Sequence, residues 1–256
     1  MNASLDQLAP DLERRFGGLR RLYGDAGYQR LRAARIGVVG LGGVGSWTVE
    51  ALARSGVAEL TLFDMDHVAE SNINRQVQAM GATIGASKGV ALRERIADIH
   101  PGCDVQLVDD FVSADNWPAL LPRDIDVLVD ACDQVHAKTA MAHWALQSRV
   151  PFVSVGAAGG KQLSQAVEVD DLAQVTHDPL LASLRQRLRK QHGAARTGAM
   201  GVRCVFSREP VSPPVDACEV DGSLNCHGYG SSVVVTATFG FVAAGEALQC
   251  VLRRFV

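Results

Sequence analysis

The chain has 256 residues, 47% of them apolar, enough to bury one substantial core and a length that suits one or two domains. A formal net charge of −3 excludes a uniformly basic nucleic-acid binder, so any RNA contact has to come from a local patch. The cysteines, Cys103, Cys132, Cys204, Cys218, Cys226 and Cys250, include no Cys-x-x-Cys pair, which argues against a structural zinc site and a disulfide framework.

The run Met1-Asn-Ala-Ser-Leu-Asp-Gln-Leu has no basic stretch leading into an apolar core, so no secretory signal is visible and a cytoplasmic location is expected. Residues Ile36 to Gly45, Ile-Gly-Val-Val-Gly-Leu-Gly-Gly-Val-Gly, lead a short apolar strand directly into a glycine loop that opens a helix, the form of a nucleotide-phosphate cradle. Gly40 reads as the tight turn, Gly42, beside Gly43, as the point where backbone N–H groups approach phosphate oxygens, and Gly45 as the close contact of helix and strand. The helix continues from Trp47 to Arg54 and stops at Gly56. A second strand, Glu59 to Phe63, ends in Asp64, about 20 residues past the loop, where an acid accepts hydrogen bonds from ribose hydroxyls. NAD and ATP both carry that ribose, so the loop alone leaves a dehydrogenase open.

Next come Ser71-Asn-Ile-Asn-Arg-Gln76, a helix over Lys88 to Ile99 ended by Pro101, and a strand over Val105 to Val108. Ile125 to Asp130 reads as a buried strand, His136 to Gln147 as a helix and Val150 to Val155 as another strand. This alternation predicts an α/β, doubly wound, mostly parallel Rossmann-like sheet, with Asp64 and Asp133 at the C-terminal strand ends, where such sheets bind ligands. From Gly156 the pattern changes: the turn Gly156 to Gly160 leads into the alternating Leu163 to Val169, which predicts an antiparallel extension. The expected organisation is one domain over 1–256, with a nucleotide-binding wound half (1–155) and a second part (156–256) holding the extension, a basic segment and a C-terminal helix.

The basic segment, Leu180 to Arg203, carries Arg185, Arg187, Arg189, Lys190, Arg196 and Arg203, and is either a solvated helix face or a patch for a phosphate backbone. Arg208 to Ser232, with three prolines, is the expected mobile region. Ser232 to Leu252 is apolar enough to raise a membrane-spanning reading, but Thr236, Thr238, Glu246 and Gln249 favour a buried terminal helix.

Asn72, Asn74, Arg75 and Gln76, with Lys88 at a helix start, suit a triphosphate better than hydride transfer. Arg75 can grip phosphate as a fork, Lys88 can act as a point charge, the asparagine amides can fix ribose and phosphate oxygens, and Asp133 can hold Mg²⁺ through a carboxylate contact. Singly, each has a plainer explanation: a surface charge, a turn residue, or a cap for the helix at His136.

Gly40-x-Gly-Gly-x-Gly45, Asp64-x-Asp66, Ser71-Asn-x-Asn-Arg-Gln76, Lys88 and Asp130-x-x-Asp133 resemble the ThiF/MoeB-type adenylating fold of ubiquitin-activating-type enzymes and their bacterial relatives in molybdopterin and thiamin synthesis, over about residues 14 to 170. Arg15 to Gly24, Val108 to Val112, Gly156 to Gly160, Val202 to Ser207 and Val235 to Val242 look closest to the tRNA threonylcarbamoyladenosine dehydratases within that group. The resemblance implies ATP-dependent cyclisation of the threonylcarbamoyl group on an anticodon-loop adenosine to a hydantoin, through a carboxylate adenylate. It assigns Asp64 to the ribose, Asn74 and Arg75 to the phosphates, Gln76 to the nucleotide site, Lys88 to the phosphate chain and Asp133 to magnesium. It further implies tRNA as substrate, a homodimer, no zinc, a monovalent cation (Na⁺ or K⁺) and a sulfur-relay protein partner. Cys226, in Asn225-Cys-His-Gly228, matches the cysteine that accepts an acyl group in some relatives, and a structural role is its alternative. An arginine that reaches into the partner subunit's nucleotide site in molybdopterin-type relatives is replaced here by Gly18, which leaves Arg15, Arg20 and Arg21 as alternatives. Competing activities are adenylation of the C-terminus of a small sulfur-carrier protein, a non-catalytic nucleotide-gated tRNA-binding role, and an NAD dehydrogenase.

Overall fold

The computed structural model describes residues 10–212 and 229–253. Seven strands, β1 (Arg35–Val39), β2 (Glu59–Phe63), β3 (Asp104–Val108), β4 (Val127–Asp130), β5 (Phe152–Val155), β6 (Val167–Asp171) and β7 (Arg203–Ser207), form one sheet in the order β3-β2-β1-β4-β5-β7-β6. Neighbours run parallel except β6, which is antiparallel to β7. The apolar runs of β1 and β4 are buried because helices cover both faces, as a parallel sheet requires.

One face carries α1 (Leu12–Leu31), α2 (Gly45–Arg54), α3 (Lys88–Ile99) and α6 (Val233–Arg253), packed on Ile36, Val38, Leu60 and Val129. The other carries α4 (Val135–Ser148) and α5 (Pro179–Gln191), packed on Leu128, Phe152 and Phe206. Chain order runs outward from β1 through β2 to β3 and from β4 to β5, so the connections part between β1 and β4 and leave a crevice at their C-terminal ends.

Three features depart from the sequence reading. α1, which kinks at Gly24, was legible only as part of a family resemblance. The stretch expected as a strand from Leu163 makes a 3-10 turn over Ser164–Ala166, and β6 begins at Val167. β7, a strand the sequence reading did not place, joins the expected extension to the wound half by pairing parallel with β5, so only β6 is antiparallel.

α6 has the length and apolar composition of a membrane-spanning helix, yet half of its most apolar window is buried in the protein. Val235, Phe239, Ala243 and Ala247 line its inner face, and Thr48 of α2 donates its hydroxyl to the Gly240 carbonyl at 3.1 Å. Glu246 pairs with Arg203 of β7 at 2.8 Å, which explains a carboxylate in so apolar a helix.

Candidate active site

The glycine loop lies between β1 and α2. Gly40 adopts φ +84°, and its N–H donates to the Phe63 carbonyl at 2.9 Å, tying the tips of β1 and β2. At Gly45 a Cβ would stand 1.7 Å from the Gly40 carbonyl oxygen, so helix and strand touch there. Gly42 faces open space, whereas Gly43 has the aliphatic stem of Arg75 across it, 3.3 Å from where a Cβ would be. α2 starts without a side-chain cap and with no acid in its first turn; Ser46 N is taken by the Gly42 carbonyl at 3.1 Å, and the dipole with the remaining first-turn amides is left for an anion.

Asp64 stands at the tip of β2 with its side chain buried; Oδ2 accepts from Leu41 N at 2.6 Å and Oδ1 from Asp66 N at 2.8 Å. Burial raises its pKa against the pull of Lys88 and the two N–H groups. Two carboxylate oxygens offer about four acceptor positions, so capacity for hydroxyls is left. Lys88 opens α3 as expected, and its Nζ lies 2.7 Å from Asp66 Oδ2 and 3.9 Å from Asp64 Oδ1.

Arg75 Nη1 donates to the Ser71 carbonyl at 2.7 Å and to Asn74 Oδ1 at 2.9 Å, while Trp47 holds the Arg75 carbonyl at 2.9 Å. Those bonds occupy only one arm of the guanidinium fork. Asn74 also donates to the Ser231 carbonyl at 3.0 Å, joining this segment to the start of α6. Asn72 serves its own turn by accepting from Ala69 N, the plainer of its two readings. Gln76 is buried and accepts from Gln78 Nε2 at 3.1 Å; Gln78 in turn donates to the Leu41 carbonyl at 3.0 Å and braces the glycine loop from behind.

Asp133 follows the tip of β4. It is exposed, its hydrogen bond is accepted from Gln134 Nε2 at 3.3 Å, and it does not cap α4, whose N-cap is Gln134. The loop before it abuts the glycine loop: a Cβ on Gly40 would be 2.9 Å from Cys132 Cα. Asp64, the glycine loop, Arg75 and Asp133 therefore gather around the neighbouring tips of β2, β1 and β4. Among the described residues no cluster of three or more His, Cys, Asp or Glu side chains forms a metal cage.

Behind Asp133 lies a buried polar group of which the sequence reading held only Asp130, as part of a motif. Lys138 Nζ donates to Asp130 Oδ2 at 2.9 Å and to the Val155 carbonyl at 2.7 Å; Ser154 Oγ donates to the same Asp130 oxygen at 2.7 Å. Burial alone would lower the lysine's pKa, but Asp130, with Cys132 and Asp178, holds the ammonium above its ordinary range. Lys138 shares a helix face with Met141, Ala142 and Ala145, and that placement was the available signal that it points inward.

The basic segment divides in two. Arg185 staples the Leu172 and Val175 carbonyls, Arg189 holds the Ala195 and Arg196 carbonyls, and Arg203 pairs with Glu246. Lys190 and Arg196 border a hollow of about 470 Å³ with Arg185 and Arg189, and Arg187 lies on the ring of His136 in the first turn of α4. Near the N-terminus Arg15 donates to the Asp98 and Ile99 carbonyls and Arg20 pairs with Glu13 and Asp25, while Arg21 is exposed and makes no ion pair among the described residues. Cys226 and His227 lie outside the described residues. Ser212 donates to the Gly160 carbonyl at 2.9 Å, and Gly160 N donates to the Gly230 carbonyl at 3.0 Å.

A glycine loop at a topological switch point, with an acid one strand away and an arginine laid across the loop, defines a nucleotide-binding protein of the doubly wound class. The chain matches the ThiF family over residues 15–254 and belongs to it. It is similar to the tRNA threonylcarbamoyladenosine dehydratase of Haemophilus influenzae, at 40% identity over 247 residues that span 94% of this chain and 95% of the relative. The Escherichia coli dehydratase is 41% identical over 252 residues, 94% of each chain. The crystal structure of that E. coli enzyme in complex with ATP superposes with a TM-score of 0.86, covering 95% of this chain and 96% of the other.

Proposed function

We propose that this chain catalyses the ATP-dependent cyclisation of N6-threonylcarbamoyladenosine in the tRNA anticodon loop. The observation that carries this is the end-to-end likeness to dehydratases of that name, at 40 and 41% identity, together with Arg75 laid on a glycine loop beside Asp64. A likeness of that extent favours the tRNA substrate over a sulfur-carrier protein, and a fork of free arginine donors on the loop favours ATP over NAD.

A carboxylate is a poor electrophile because oxide would have to leave. Attack of its oxygen on the α-phosphate forms the acyl adenylate and expels pyrophosphate; a carbamoyl nitrogen then closes onto the acyl carbon, losing its proton, and AMP leaves with the former carboxylate oxygen. The chain's task is to align the reactants and offset charge growing on the phosphates. The α2 N-terminus and the Gly42 N–H would hold phosphate oxygens, Asp64 the ribose, and Arg75 and Lys88 the phosphate chain. Asn74 sets the Arg75 guanidinium, and Gln76 acts through Gln78 on the loop.

A single exposed carboxylate at a strand tip fits Mg²⁺, which keeps most of its waters and is commonly bound by one or two carboxylates plus phosphates. Asp133 would hold it, and bound there it supplies positive charge to the phosphates. Lys190, Arg196 and Arg187 would meet the tRNA backbone. In a homodimer Arg21, the exposed one of the three N-terminal candidates, would reach the partner subunit's nucleotide. The enzyme would act in the cytoplasm, where tRNA is.

Incubation with ATP, Mg²⁺ and tRNA bearing the threonylcarbamoyl group should yield AMP and pyrophosphate and an anticodon-loop nucleoside lighter by one water. ATP consumption indifferent to that tRNA, with no change in nucleoside mass, would remove the proposal.

A further inference from the structure

Asp133 has no strong hold of its own: its one partner among the described residues is the neighbouring Gln134 amide at 3.3 Å. Its direction is therefore set by the backbone of residues 131–134. Ala131 N donates to the Val39 carbonyl at 2.8 Å, Gly40 presses on the Cys132 backbone, and Asp130 Oδ1 accepts from Cys132 N at 3.3 Å and from Cys132 Sγ at 3.1 Å. Asp130 is fixed from the other side by Ser154 Oγ and Lys138 Nζ on Oδ2. Lys138 adds a bond to the Val155 carbonyl, so one ammonium joins the tips of β4 and β5 to the start of α4. A fully buried ion pair gains little stability over a well-packed apolar pair, so its presence directly beneath this loop calls for another reason.

We propose that Lys138 is a positioning residue for the metal-bound nucleotide: through Asp130 it fixes the Cys132 backbone and so aims the Asp133 carboxylate. The inference rests on the reading that Asp133 contacts the metal of Mg·ATP. Neutralising the lysine leaves Asp133 in the chain but lets its loop settle elsewhere, so metal engagement should suffer more than binding of ATP without metal.

The test uses the full chain with Lys138→Met, the double variant Asp130→Asn with Lys138→Met, and Asp133→Asn. The double variant leaves no lone buried charge and carries the test if the single one does not fold. Two quantities are read: the Mg²⁺ concentration for half-maximal ATP–pyrophosphate exchange with modified tRNA, and the Mn²⁺ affinity of the protein–ATP complex by electron paramagnetic resonance. Both should weaken by about 10- to 100-fold in the Lys138 variants, as is usual when a group supporting a metal ligand is lost. Metal-free ATP affinity should change by less than about threefold, within the spread expected where no contact to ATP is removed. A folded Lys138 variant with wild-type metal dependence, while Asp133→Asn is impaired, overturns the inference alone. Unchanged metal dependence in Asp133→Asn overturns the reading beneath it, and with it the inference, whether or not the Lys138 variants shift.

Discussion

Gly42 and Gly45 stand three residues apart in one loop and require glycine for different reasons. Gly45 is fixed by the protein itself, since a Cβ would sit 1.7 Å from the Gly40 oxygen, while at Gly42 a Cβ would meet nothing within 4 Å. Gly45→Ala should therefore destabilise the fold by about 1–3 kcal/mol, the usual range for overpacking, and abolish ATP binding with it. Gly42→Ala should melt like the wild type, and if the loop holds phosphate as proposed it should bind ATP more weakly, because the methyl would enter that open space. Thermal melting with and without ATP separates the two, and equal melting temperatures with equal ATP shifts would show that Gly42 is not at the phosphates. The turn at Gly40 and the close contact at Gly45 were legible because glycine spacing reports backbone geometry directly. Gln78 was not, since a glutamine in a turn carries the same letter whether it faces water or a neighbouring carbonyl, and Lys138 was betrayed only by the apolar helix face it shares, with nothing to name its partners.

At the scale of elements, the crevice depends on two helices that open beside each other, α2 at the glycine loop and α3 at Lys88. Glu50 on α2 joins them: its carboxylate accepts from Arg95 of α3 at 2.7 and 3.0 Å and from Arg54 at 2.7 Å. Burial works against the charge, but the two guanidiniums prevail and hold the Glu50 pKa below its ordinary value. With a lowered folded-state pKa, this stabilisation is present above the unfolded value of about 4.5 and fades as pH falls through the folded one. Glu50→Gln should thus cost about 1–2 kcal/mol at neutral pH, discounted because Arg54 is largely exposed, and less at pH 3.5. Urea unfolding at both pH values measures this, and a cost independent of pH would sink the electrostatic account. Alternating strands and helices were readable from β1 to β5 because each element there is short, apolar or amphipathic, and ended by a turn or breaker. α1 escaped because Gly17, Gly18, Gly24 and Gly27 dilute its helical pattern, and only its packing under the fold keeps it helical. The start of β6 was misplaced because alternation over Leu163–Val169 is the same in a turn that happens to alternate as in a strand.

Across the whole molecule, the first and last helices close the fold over one sheet face, Arg30 of α1 donating to the Leu252 carbonyl of α6 at 2.8 Å. The join between α1, the turn after α2 and the end of α3 is centred on His100, which is 1% exposed. Phe16 meets its ring edge-on at 4.8 Å, and Arg32 donates to its Nε2 at 2.7 Å and to the Gly56 carbonyl at 2.6 Å. Burial, followed by the positive charges of Arg32 and Arg15, pushes the His100 pKa down to about 4 from 6.5. Between those values the unfolded chain binds a proton that the folded one refuses, so stability is lost as pH falls below about 6.5 and levels off near 4. The full interval corresponds to about 3 kcal/mol, enough to make this packed corner a main cause of acid lability in a protein of ordinary stability. His100→Gln should be less stable than the wild type at pH 7.5, because ring packing is lost, yet lose less on going to pH 4.5. Denaturant unfolding of both proteins across that range decides it, and parallel pH dependences would mean that the acid sensitivity lies in the carboxylates rather than at the corner where the first helix is strapped to the nucleotide-binding sheet.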